Sequence, residues 1–343
     1  MSLRSALPLL AFLGALALTA WLPARIPPPP VRSSFRVGLI FDVGGRGDKS
    51  FNDAAYAGLL EAARLDGISF ELAEPSGAED REGAMRLFAA RKFDLILGIG
   101  YIFTRDITEV ARAFPGSRFA CVDYAGDERT PENLVGLRFR EEEGAFLVGA
   151  AAGAESESKH VGFVGGMNIE LIRRFEAGYR AGVKAVCPAC EVHVAYAGTT
   201  PEAFRDPLRG KAIAASQIAR GVDVIFHASG LTGSGVFEAA RVAGKRAIGV
   251  DRDQYDEAPG VVMTSMVKRV DTVVREVIRE VAAGTFRSGV RSFGVREGGG
   301  RLGARRAFCS GTPTVDRRGG GAIAGAHHFR GAAGAFGSMR GRN

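Results

Sequence analysis

The chain has 343 residues, 46% of them hydrophobic and 24% charged, with a formal net charge of +7. That excess sits at one end: residues 299–343 carry eight arginines, no lysine and a single acid, Asp316, while residues 1–298 balance 37 basic against 37 acidic side chains. The globular part therefore gives no charge argument for a nucleic-acid partner, and its length exceeds what one hydrophobic core usually organises.

In chain order, Arg4 followed by the apolar stretch 6–22 reads as an export signal, with small residues at Ala15, Ala17, Thr19 and Ala20 open to a signal peptidase. The stretch is shorter than the about 20 residues of a comfortable membrane span, although an uncleaved amino-terminal anchor is the competing reading. No cysteine follows it, which excludes lipid attachment at a lipobox. Pro27 to Pro30 form a stiff spacer closing the segment 1–34.

The first strand, 36–41, runs into Asp42-Val-Gly-Gly-Arg-Gly-Asp48-Lys-Ser-Phe51-Asn52-Asp53, and a helix follows over 52–65. This glycine-rich turn offers carboxylates, an aromatic ring and a carboxamide at the carboxyl end of a strand, where open α/β sheets bind ligands. Ser50, Asn52 or Asp53 can cap the helix. Neither a phosphate loop nor G-x-G-x-x-G is present, so the turn suits a polar organic ligand with a stackable face, against an ordinary strand-to-helix loop.

Strands are expected next at 68–72, 95–98, 119–122 and 134–139, alternating with helices at 79–90, 104–113 and 141–154. Then come strands 160–164, 192–196, 222–227, 247–250 and 261–266, with helices 169–186, 211–220, 235–243 and 270–283. The alternation is that of parallel sheets with helices on both faces, and the ten strands divide into two sheets near 136–143. Cys121 reads as a core residue, and Cys187-Pro-Ala-Cys190 as a local disulfide in an exported chain. His160, His193 and His227 show no metal-ligand spacing.

Five motifs then fall in a recognisable order. They are the Asp42–Asn52 turn, Val164-Gly-Gly-Met167 with Arg174-Phe-Glu-Ala-Gly178, and Asp223-Val-Ile-Phe226-His-Ala-Ser-Gly230-x-x-Gly233-x-Gly235. Ile248-Gly-Val-Asp251-x-Asp253-Gln254 and Thr264-Ser-Met-Val-Lys268-Arg complete the set. On these the chain resembles, across about 36–298, the basic membrane protein family of ABC-transporter substrate-binding proteins, the purine-nucleoside receptor group of type I periplasmic binding proteins. The resemblance implies an α/β fold of two Rossmann-like lobes with parallel sheets and a ligand cleft between them. Lobe one would take 36–137 and 266–285, and lobe two 138–265.

It also implies a site. Asp42, Phe51 and Asn52 would line the cleft from lobe one, with Phe51 stacking on the purine and Phe226 matching a second aromatic on the opposite lobe. Asp123 would read base edges, Asp251 with Lys268 would hold the ribose, and the backbone at Gly230 would approach the ligand. Leu231, where relatives often carry a second glycine, would narrow the cleft or change the preferred base. No cofactor or metal is expected.

The implied function is non-catalytic: an extracytoplasmic component that captures purine nucleosides by lobe closure and hands them to an ABC permease with its ATPase subunits. Membrane association would run through the amino terminus or the permease. A membrane-tethered nucleoside sensor and a nucleoside-processing enzyme are the alternatives; no phosphate loop, triad or metal cluster favours an enzyme. A ligand-sensing regulator would need a helix-turn-helix where the export signal stands. Beyond Gly299 the resemblance stops. The rest reads as a disordered arginine–glycine tail or the product of a shifted reading frame, leaving the last strand and lobe crossing in question.

Overall fold

Apolar runs such as Leu95–Ile99 must be covered on both faces, and in the computed structural model, which describes residues 35–303, they form the centres of two sheets. The expected export signal, spacer and most of the arginine-rich tail lie outside the described residues.

Sheet one contains β1 (Arg36–Ile40), β2 (Ser69–Ala73), β3 (Leu95–Ile99), β4 (Arg118–Val122), β5 (Leu134–Phe139) and β11 (Gly289–Phe293), in the order β11-β5-β4-β3-β1-β2. Sheet two contains β6 (His160–Met167), β7 (Glu191–Gly198), β8 (Val224–Ala228), β9 (Arg246–Asp251), β10 (Val262–Lys268) and β12 (Gly300–Leu302), in the order β12-β10-β9-β8-β6-β7. The two orders correspond place for place. Every pairing is parallel except that of β12 with β10.

Helices cover both faces of each sheet. On sheet one, α1 (Phe51–Asp66) and α8 (Val270–Ala282) bury Leu59, Val273 and Val277 against Leu95 and Leu97. On its other face, α2 (Ala78–Ala90) and α3 (Thr104–Ala113) bury Met85, Phe88 and Val110 against Ile96 and Phe119. On sheet two, α4 (Glu141–Glu155) and α5 (Glu170–Val186) form one layer. The other layer is α6 (Pro207–Ala219) and α7 (Gly233–Val242). Ile172, Phe175, Tyr179 and Val183 recur at spacings of three and four along α5, so one stripe enters the core. Helix α6 starts four residues before its expected beginning. The Asp206 carboxylate caps it by accepting from the Arg209 amide at 2.9 Å, and Pro207 occupies the first turn.

Among the described residues the chain passes between the sheets three times: β5 to α4, β10 to α8, and β11 to β12. These passages bond side by side, the Arg140 amide to Phe293 O at 2.9 Å and the Arg269 amide to Gly299 O at 2.9 Å. Strands β11 and β12 lie beyond the ten expected. One is a half-exposed edge strand and the other has three residues, so neither carries an apolar run. The last crossing is therefore present, and the boundary placed at 298 falls within it. Cys187 and Cys190 form a disulfide, and among the described residues no helix is long and apolar enough to cross a membrane.

Candidate functional site

The carboxyl ends of both parallel sheets point at one another across a cleft of about 600 Å³ including its open mouth. From sheet one come Asp42 and Gly44 after β1, Phe51 and Asn52 at the start of α1, Tyr101 after β3, and Asp123 after β4. The other wall carries Phe175 on α5, Phe204 in a short turn after β7, Ser229 and Gly230 after β8, Asp251 at the end of β9, and Lys268 at the end of β10.

The turn after β1 is held by its own polar groups. Asp48, buried, accepts from the amides of Ser50, Asn52 and Asp53 at 2.9, 2.8 and 3.1 Å and so caps α1. The three residues expected to cap the helix are instead the ones capped. Asn52 accepts from the Asp42 amide at 3.0 Å and donates to Asp48 at 3.0 Å, which fixes where Asp42 stands. Ser50 is freed to reach across the cleft, donating to Asp251 at 2.5 Å.

Asp123 and Asp251 occupy equivalent places, directly after β4 and at the end of β9. Both have left-handed backbones, with φ of 60° and 64°, a conformation that side chains other than glycine and asparagine or aspartate seldom take. Such strain is characteristic of functional positions. Lys268, 2% exposed, donates to both oxygens of Asp123 at 2.7 and 2.8 Å and to Glu141 at 3.2 Å. Glu141 is held in turn by Arg174 at 3.2 Å. The ammonium also stands 5.2 Å from the Phe51 ring, 4.8 Å from Phe139 and 5.7 Å from Phe175. Lys268 thus pairs with Asp123 across the cleft and with Glu141, while Asp251 accepts from Ser50.

Burial raises the Asp42 carboxyl to about 7, with the Val43 amide and Arg81 opposing and Asp123 and Asp48 reinforcing. Burial likewise lifts Asp251 to about 6 against the pull of Lys268. Glu141 is also raised, first by burial. Burial opposes the charge on Lys268, yet Asp123, Glu141 and Asp251 together hold its pKa above the usual value.

Seven of the eight residues proposed from sequence line this cleft; Phe226 does not. Its ring is fully buried in the lobe-two core, 5.3 Å from Tyr179 and 5.7 Å from Phe163. On β8 it shares the face of Val224 and Ala228, which α4 and α5 cover. Phe175, Phe204 and Tyr101 supply the aromatic surface instead. Tyr101 was within reach of the strand-end rule; Phe204 follows no apolar signal of its own. Leu231 does not line the cleft. His227 is buried beside it, bonded to Gln254 at 3.1 Å, with its pKa lowered to about 4 chiefly by burial.

Residues 35–308 match the family model of PnrA-like ABC transporter substrate-binding proteins. The chain belongs to that family. It is 37% identical over 278 residues to a Listeria monocytogenes CD4+ T-cell-stimulating antigen, covering 75% of this chain and 76% of the other. With the Lactococcus lactis ABC transporter nucleoside-binding protein BmpA it shares 30% identity over 299 residues, 81% of this chain and 84% of that one. A solved solute-binding protein of an ABC transporter system from Aeropyrum pernix superposes with a TM-score of 0.73 at 34% identity, covering 79% of this chain and 76% of its own. The fold of this PnrA-like chain is the type I solute-binding one: two parallel-dominated sheets, each flanked by helices.

Proposed function

We propose that the protein is exported and captures purine nucleosides in this cleft, closing its lobes around them and presenting them to a membrane permease. The observation that carries the reading is the lining: flat aromatic faces beside carboxyl groups that can exchange hydrogen bonds with hydroxyl and amino groups. Phe51 and Phe175 face the cleft from opposite lobes, as stacking surfaces for a planar base would. Asp42 and Asp251 each accept one bond from the protein and keep further lone pairs for hydroxyl and amino groups, and a carboxylate receives both hydroxyls of a ribose.

The same lining argues against phosphates. Asp42, Asp48, Asp123 and Asp251 face a single lysine, already bonded to two carboxylates. A nucleotide would bring phosphate charge among buried carboxyl groups at low dielectric, beside a lysine that is already paired, so the nucleoside is the better ligand. The Lactococcus relative, named as nucleoside-binding, supports the class.

Calorimetric titration of the full chain with adenosine, guanosine, inosine, cytidine, free bases and inosine monophosphate tests this. Nucleosides bind, the monophosphate does not, and Asp251→Ala weakens binding by about 10–100-fold, the loss of hydrogen bonds to a charged group. A folded sample that ignores every nucleoside rejects the assignment.

A further inference from the structure

The strand register brings together three side chains that stand apart in sequence, and they lie at the edge of sheet two opposite the cleft. His160 opens β6 and pairs with Glu191, which opens β7; His193 pairs with Gly162 two places on. With a period of two, all three side chains project from the same face. The Nδ1 of His160 is 3.0 Å from the Nε2 of His193. Glu191 closes the triangle, one oxygen 3.7 Å from His160 Nδ1 and the other 3.6 Å from His193 Nε2.

We propose that this trio is a binding site for a borderline divalent transition-metal ion, with zinc as the type. Zinc bonds of about 2.0–2.2 Å in a tetrahedral shell set ligand atoms about 3.3–3.6 Å apart; here the ring nitrogens stand 3.0 Å apart, and one ligand atom from each of the three side chains lies within 4.8 Å of the other two. Two imidazoles and one carboxylate are a donor set that zinc takes with a fourth position left to water. The ring nitrogens already converge, so a metal replaces one shared hydrogen bond without rearranging the strands.

The supporting shell is partly built. The Gln217 amide donates to the backbone carbonyls of His193 at 3.1 Å and Phe163 at 3.0 Å, which fixes β7 beside β6. Arg209 and Arg220 line the groove next to His193 and disfavour a cation, with Glu191 offsetting them. Glu191 and His160 are the more exposed members, His193 the least, so an ion enters from solvent. Because β7 is an edge strand, the ion cross-links it to β6.

The test is zinc titration of the full, tag-free chain after chelator treatment, beside His160→Ala/His193→Ala and Glu191→Gln. The parent takes one zinc per chain at this site and melts at a higher temperature with zinc present. The double variant binds it more weakly by at least the ~10–100-fold that even a supporting partner is worth. Nucleoside binding stays unchanged in both variants, since the trio lies at the other end of the strands. Zinc uptake that the double variant retains in full, as at the cleft carboxylates or His327 and His328, overturns the proposal, as does a parent that takes none. Should the variants fail to fold, anomalous diffraction from zinc-soaked parent crystals decides. A peak between the three side chains is expected, and its absence there sinks the site.

Discussion

Phe226 and Phe175 show how two phenylalanines in family motifs differ: both are buried in the lobe-two core, and one of them also forms cleft wall. Their ring centroids are 6.4 Å apart, yet only Phe175 lines the cleft. Phe226→Ala empties a packed position and is expected to cost about 3–5 kcal/mol of stability while leaving affinity nearly intact. Phe175→Ala is expected to cost both, losing about 1–3 kcal/mol of stacking in a nucleoside titration and lowering the denaturant midpoint, since its ring also packs in that core. Asp42 makes a pH prediction. Its folded pKa of about 7 lies above its ordinary value, so between pH 4 and 7 the folded state binds the proton more tightly than the unfolded one. Stability from this group is present at low pH and falls as pH rises through about 7. Asp42→Asn should therefore raise the melting temperature most at pH 8 and hardly at pH 4; an equal gain at both values would refute the burial argument.

Among the described elements, the α4–α5 pair forms the most extensive helix–helix contact, and glycines make it possible. A Cβ on Gly182 would stand 2.0 Å from Phe146 O, and one on Gly178 2.3 Å from Glu142 O. The backbones are in contact, with no room for even a methyl group. Gly182→Ala must push the helices apart, and about 1–3 kcal/mol of destabilisation is expected in urea unfolding. The contact also sets the site, because α4 carries Glu141 at its first turn and α5 carries Arg174 and Phe175. A shift of one helix against the other moves the carboxylate that holds Lys268, so the same variant should also weaken ligand binding.

On the scale of the molecule, three adjacent crossings join the lobes, and a few polar contacts bridge the cleft between them. Ser50 bonds Asp251, Gln254 donates to Lys49 O at 3.0 Å, and Arg252 lies 3.6 Å from Asp53. A ligand that needs both walls favours the closed arrangement, the hinge transition expected of solute-binding folds. Saturation at 100 times the dissociation constant should add about 2.7 kcal/mol and raise the melting temperature by about 5 °C. A ligand that binds without shifting the melt would mean it does not select the folded protein.

Much of this was legible from residues alone. Apolar runs and helical stripes located all eight helices and ten of twelve strands among the described residues, because covered strands and amphipathic helices carry their burial in local spacing. The Asp42–Asn52 turn and the strand-end aspartates were readable for a related reason: ligands gather where parallel strands end, and strand ends are local features. Which face a strand residue takes, and what lies across from it, is not local. Phe226 went to the core because two helices cover its face, and Lys268 paired with Asp123 because β10 and β4 end on opposite walls. His160, Glu191 and His193 met only through the register of β6 with β7. The sequence determined the elements and the chemistry available at their ends; packing of the two sheets decided which groups face one another.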